Sequence, residues 1–164
     1  MDNELQVVAR HIAKAPAVNL SDIFEDLGVL YEEMSLWNGA SGWIERDGET
    51  YKVVVNADEP VNRRRFTAAH ELAHYLLHRD LMDHKGRAHR HTDVLFGGEQ
   101  PSGSSRITRQ HEIQANRLAA QILMPANRVK EMWAANQSVE NLAHQLHVSR
   151  AAMEIRLKNL GLMQ

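Results

Sequence analysis

The stretch "RFTAAHELAHYLLH", residues 65–78, constrains this chain more than any other. It contains no Pro or Gly, and Phe66, Ala69, Leu72, Ala73, Leu76 and Leu77 recur at helical spacing. It therefore reads as part of an amphipathic helix from about Val61 to Asp80. Within it lies His70-Glu71-Leu72-Ala73-His74, the pattern H-E-x-x-H. At roughly 100° per residue, positions four apart lie about 40° apart around a helix. Both imidazoles then point the same way, one turn apart, and can share one tetrahedral metal ion. The chain has no cysteine, so thiolate ligands are excluded and zinc on nitrogen and oxygen is the expected chemistry. Glu71 is displaced around the helix, within reach of a water there without being a ligand. It is the candidate general base. The histidines are expected at the edge of the apolar sector, with Glu71 and His78 just beyond, making the helix half core and half reactive surface.

A catalytic zinc site normally has three protein ligands. Downstream candidates are His84, His89, His91, Asp93, Glu99, His111 and Glu112. Glu112 is favoured by its neighbours. In "HEIQANRLAAQILMP", Glu112, Ala115, Asn116, Ala119 and Leu123 share one helical face. Ala115 and Ala119 are small enough for that face to approach another helix closely. Asn116, one turn beyond Glu112, is placed to accept a hydrogen bond from the non-ligating nitrogen of His70 or His74. Tyr75, Arg109 and His111 are candidate oxyanion donors. His78 is either a cation at a helix C-terminus or a substrate contact.

The flanking sequence supplies the rest of an α+β chain. Residues 2–14 read as a helix, followed by a short helix containing Ile23, Phe24 and Leu27 and ended by Gly28. "VLYEEM" reads as a strand. "GWIERDGETYKVVVN" reads as a hairpin turning at Asp47-Gly48. Residues 82–105 lack periodicity and read as a long surface loop. A second long helix is expected over about Ile107 to Met124, capped by Ser104 or Ser105 and closed by Pro125. "ANRVKEMWA" and the tail "SVENLAHQLHVSRAAMEIRLKNLGL" add a short helix and a helix-turn-helix-like pair. The expected architecture is a small antiparallel sheet on a helical core. It divides into 1–134, carrying the chemistry, and 135–164, packed upon it.

With both motifs in view, the chain resembles the ImmA/IrrE-type zinc metallopeptidases. The resemblance rests on "RFTAAHELAHYLLH", "HEIQANRLAAQILMP", the preceding hairpin and the ending "VSRAAMEIRLKNLGL", from about residue 20 onward. It implies a gluzincin-like fold, with His70, His74 and Glu112 as zinc ligands and Glu71 as base. It also implies a substrate, a DNA-binding repressor in a stress, phage or mobile-element switch. Leu118 stands where the family usually has Phe, and Gln121-Ile122 replaces an acidic-Leu pair. Neither departure touches the ligand set.

Composition excludes several other classes. Net charge is −2, which offers no general attraction to nucleic acid or anionic membranes. No apolar run reaches membrane-spanning length, and "MDNELQVVARHIAK" has no signal-peptide core. The cytoplasm is the expected location. The run Arg63-Arg64-Arg65 is too small to form a nucleic-acid groove. A DNA-reading tail would present Arg150, Arg156 and Lys158, but Glu140 and Glu154 leave it little net positive charge. Two rivals to a peptidase follow. One is a non-catalytic zinc-scaffold regulator or toxin–antitoxin component acting by protein contact. The other is a DNA-binding protein acting through the C-terminal helices.

Overall fold

The computed structural model describes residues 2–37, 39–82, 85–91 and 106–164. Two helices, α1 (Asp2–Lys14) and α2 (Leu20–Leu27), lead into strand β1 (Leu30–Met34). The hairpin β2 (Gly42–Asp47) and β3 (Thr50–Asn56) precedes the long helix α3 (Val61–His78). A single 3₁₀ turn (Arg79–Leu81) and β4 (Lys85–His91) follow. Helices α4 (Arg109–Leu123), α5 (Ala126–Ala134), α6 (Val139–Leu146) and α7 (Arg150–Asn159) complete an α+β fold, as the sequence predicts.

The sheet order is β1-β3-β2-β4. The β2–β3 and β2–β4 pairings are antiparallel, but β1 runs parallel to β3. The sheet is therefore mixed rather than wholly antiparallel as expected. The cause is the hairpin: it folds β3 back into the place beside β1, so the two strands share a direction. The turn itself sits one residue later than the Asp47-Gly48 reading. Asp47 already pairs with Thr50, and the left-handed φ of 60° falls on Gly48, the first of two loop residues.

Strand β4 corrects the loop assigned to 82–105. Residues Lys85–His91 pair with β2 through a bulge between Ile44 and Glu45. A strand held by its backbone ladder need not show apolar alternation, so periodicity misses it. Helix α4 likewise begins later than expected. Thr108 is its N-cap, and Ser104 and Ser105 lie outside the described residues.

Helix α3 is the centre of the molecule. Every residue from Phe66 to Leu76 is buried, which overturns the half-core, half-surface expectation. Ile44, Tyr51, Val53 and Val55 of the sheet share one apolar cluster with Leu72 and Leu76. On another side α4 packs against it through the fully buried Ala115 and Ala119. Gly42 lets β2 approach closely. A Cβ there would lie 2.4 Å from the Val54 carbonyl oxygen and 2.8 Å from Thr67 Cγ2. Leu77, assigned to the apolar sector, is 42% exposed. Leu142, Leu146, Met153 and Leu157 of α6 and α7 join the same apolar cluster.

The three arginines that open α3 are structural. Arg63 pairs with Glu59 at 2.8 Å, Arg64 with Glu33 at 2.8 Å, and Arg65 donates to the Val18 carbonyl at 2.9 Å. Among the described residues, no helix is long and apolar enough to cross a membrane.

Candidate metal centre

Three side chains spread over 42 residues of sequence converge between α3 and α4. His70 and His74 are fully buried, and Glu112 is 8% exposed. The His70 Nε2 lies 3.1 Å from Glu112 Oε2 and 3.1 Å from His74 Nε2, and His74 Nε2 lies 3.3 Å from Glu112 Oε1. Each residue thus offers one donor atom to a common point, an arrangement able to hold a metal ion. Ligand atoms about 2.05 Å from a tetrahedral ion sit about 3.3 Å from one another. The 3.1 Å between the two Nε2 atoms is close to that spacing, and each ring has one Glu112 oxygen at a similar distance.

The outer hydrogen bonds decide which atoms carry protons. Asn116 Oδ1 lies 2.7 Å from His70 Nδ1 and can only accept, so that Nδ1 carries the hydrogen and Nε2 keeps its lone pair. On the other ring the path is longer. Gln114 Oε1 accepts from His78 Nε2 at 2.9 Å, which leaves the neutral His78 with a bare Nδ1. That atom lies 3.0 Å from His74 Nδ1, which must donate to it. His74 Nε2 therefore also presents a lone pair to the centre. Burial holds the His78 pKa below its ordinary value, with the bond to Gln114 acting in the opposite direction; the neutral form that accepts from His74 is favoured. In this orientation the two neutral imidazoles turn nitrogen lone pairs, and Glu112 its carboxylate, toward one point. The donor set therefore fits a divalent ion of the zinc type.

The remaining sequence candidates separate clearly. Glu71 is fully buried on the same helix. Asn116 stands where the helical-face argument put it, bonded to His70. His78 faces the His74 ring rather than open solvent, with only 4% exposure. His111 lies beside His78, ring centroids 4.8 Å apart, and its Nδ1 accepts from the Thr108 backbone N–H at 3.0 Å. Arg109 is exposed in the first turn of α4. Tyr75 is elsewhere: it packs edge-on against Tyr51, and its hydroxyl points to Glu4 on α1 at 3.5 Å. An oxyanion role for Tyr75 has no support in that placement. Of the loop candidates, His84, Asp93 and Glu99 lie outside the described residues, and His89 and His91 fall within β4.

Sequence reading missed Gln114. It lies two positions from Glu112, on a different part of the α4 surface, and no spacing rule points to it. His78 did carry a signal, since it follows His74 by one helical turn.

A search of the curated proteins finds no match. The model of the Peptidase_M78 family, the IrrE N-terminal-like domain, matches residues 24–158, a span that begins in α2, holds both α3 and α4, and ends in α7. The chain that brings His70, His74 and Glu112 together accordingly belongs to the Peptidase_M78 family of IrrE N-terminal-like domains.

Proposed function

We propose that the chain is a zinc-dependent metalloendopeptidase that cuts a regulatory protein, a DNA-binding repressor or an antitoxin. The observation that carries this reading is the convergence of His70 Nε2, His74 Nε2 and the Glu112 carboxylate at 3.1–3.3 Å. These three side chains would hold the ion. When bound, it supplies Lewis acidity, polarising a peptide carbonyl and making water easier to deprotonate. The Glu71 carboxylate takes the proton of the attacking water and passes it to the leaving amide nitrogen as the peptide C–N bond breaks. Full burial of Glu71 keeps this exchange away from bulk solvent. Asn116, His78 and Gln114 keep the two rings turned with their Nε2 atoms inward.

A peptide-cutting role is favoured over a DNA-reading tail by how the tail spends its cations. Arg150 is held by Glu140 and Glu154, each at 2.6 Å, and Arg156 donates to the Met124 carbonyl at 2.9 Å. Few charges remain for phosphates. The cytoplasm, where repressors work, suits a chain without cysteine.

The test is co-expression with DNA-binding repressors and antitoxins from the same organism. Fragments should appear with the native chain and vanish on chelation. Glu71→Gln should bind the metal as before and yield no fragments. Biological activity that survives Glu71→Gln would replace the peptidase reading with regulation by protein contact.

A further inference from the structure

We propose that the groove between α4 and α7 docks a segment of the polypeptide substrate carrying a large apolar side chain next to a carboxylate. The proposal rests on the peptidase reading for the identity of the occupant, since a peptidase must seat a polypeptide beside its centre.

The groove has a volume of about 320 Å³, within the roughly 300–1,000 Å³ of sites that take ligands. It reaches the back of the metal centre through two side chains. Asn116 lines it and also holds the His70 ring. Phe66 lines it with its ring centroid 6.5 Å from that of His70. Its apolar surface includes Met124 and two isoleucines from opposite helices, Ile113 at 43% exposure and Ile155 at 54%. Two exposed isoleucines flanking one groove, on helices that each bury a different face, make an apolar seat open to solvent.

Charge gives the seat its selectivity. Arg117 and Arg156 line the groove, and none of its lining residues is acidic. Arg117 is exposed. Arg156 is half-buried and commits its Nε to the Met124 carbonyl, and burial works against its positive charge. A guanidinium in that position gains most from a carboxylate that replaces lost water. Polynucleotides would meet only two cations over an apolar floor, whereas an apolar residue with an acidic neighbour satisfies both surfaces at once. In this arrangement the C-terminal helices act in recognition, and α4 presents the docking face on one side and Glu112 on another.

The probes are three acetylated decapeptides in a Gly/Ser background, with central Leu-Glu, Leu-Lys or Ser-Glu. Binding is read from amide shifts of the ¹⁵N-labelled full chain carrying Glu71→Gln, so that no peptide is consumed, with zinc and with chelator. The Leu-Glu peptide should bind at least tenfold more tightly than either twin, shifting Asn116, Ile113 and Ile155 under both conditions. Arg117→Glu should reverse the preference toward Leu-Lys. Ile155→Asp should remove the advantage of Leu over Ser. Both positions are exposed, and an unchanged melting curve confirms the fold. Equal binding of the Leu-Glu and Leu-Lys peptides would overturn the proposal, as would shifts that map elsewhere. So would self-association of the unliganded chain that Ile155→Asp dissolves, because the occupant would then be a second copy. The readout is binding rather than turnover. A chain that shows this preference but never cuts peptides would keep the groove's selectivity and lose the substrate as its occupant, while a competent peptidase with no acidic preference would refute the groove alone.

Discussion

The Nδ1 atoms of His74 and His78 lie 3.0 Å apart, with Gln114 holding the far nitrogen of His78 at 2.9 Å. The orientation of one donor ring therefore depends on a residue a full helical turn away. His78→Ala should weaken zinc binding about 10- to 100-fold, measured by competition with a chromogenic chelator. Gln114→Ala should weaken it less, and Gln114→Glu, which keeps an acceptor, should restore it. If His78 were a substrate contact instead, KM would rise while metal affinity stayed constant.

Asn116 plays the corresponding part for His70 at 2.7 Å. Asn116→Leu, close in volume but without an acceptor, should cost metal affinity on the same 10- to 100-fold scale. Asn116→Asp should retain it. Loss in both variants with the same melting curve would mean that the amide nitrogen, not the oxygen, matters.

Metal should stabilise the fold by mass action. Free zinc at about 100 times its dissociation constant adds about 2.7 kcal/mol, or about 5–11 °C in Tm for a chain of this size. Calorimetry with zinc and then excess chelator checks this. Glu112→Ala should remove most of the shift, and an equal shift in that variant would place the ion elsewhere.

Gly42 tests how closely β2 lies against β3, with Thr67 of α3 behind it. A methyl group there meets the Val54 carbonyl at 2.4 Å, a backbone atom that cannot swing aside. Gly42→Ala should cost about 1–3 kcal/mol, seen as a lower urea midpoint. An unchanged midpoint would show that β2 and β3 can part enough to admit a methyl group.

The acid limb of stability should include Asp26. Its carboxyl bonds the buried His11 ring at 2.7 Å, and that bond holds its pKa below the ordinary 3.8. A carboxyl depressed in the folded state contributes stability above its unfolded pKa and loses it as pH falls through the folded value. Asp26→Asn should lower Tm by a constant amount above about pH 5. The difference from the native chain should shrink once pH drops below 3.8. A gap that persists at the lowest pH would trace the effect to packing.

The grouping of the candidate donors was legible because helices have a fixed period. His70 and His74 declare a shared face by spacing alone, and Ala115 and Ala119 mark the side of α4 that can come close. Burial was less legible. A helix enclosed by a sheet and by other helices needs alanines and threonine as well as leucines, so Thr67 and Ala68 blurred the apolar stripe of α3. β4 was hidden because its residues gain from backbone pairing with β2, which leaves no mark on the choice of side chains. Tyr75 was misplaced because adjacency to His74 along the chain means a rotation of about 100° around the helix, enough to aim it at Glu4.

The 42-residue separation of His70 and Glu112 has a consequence for how the molecule folds. An unfolded chain offers an ion little beyond a weak histidine pair, and the third donor arrives only after the intervening stretch has been looped back. Tight capture of the ion and the docking of α4 on α3 are then one event. Once bound, an ion would work as a removable staple between α3 and α4, and extracting it would leave that junction to the packing of Ala115 and Ala119.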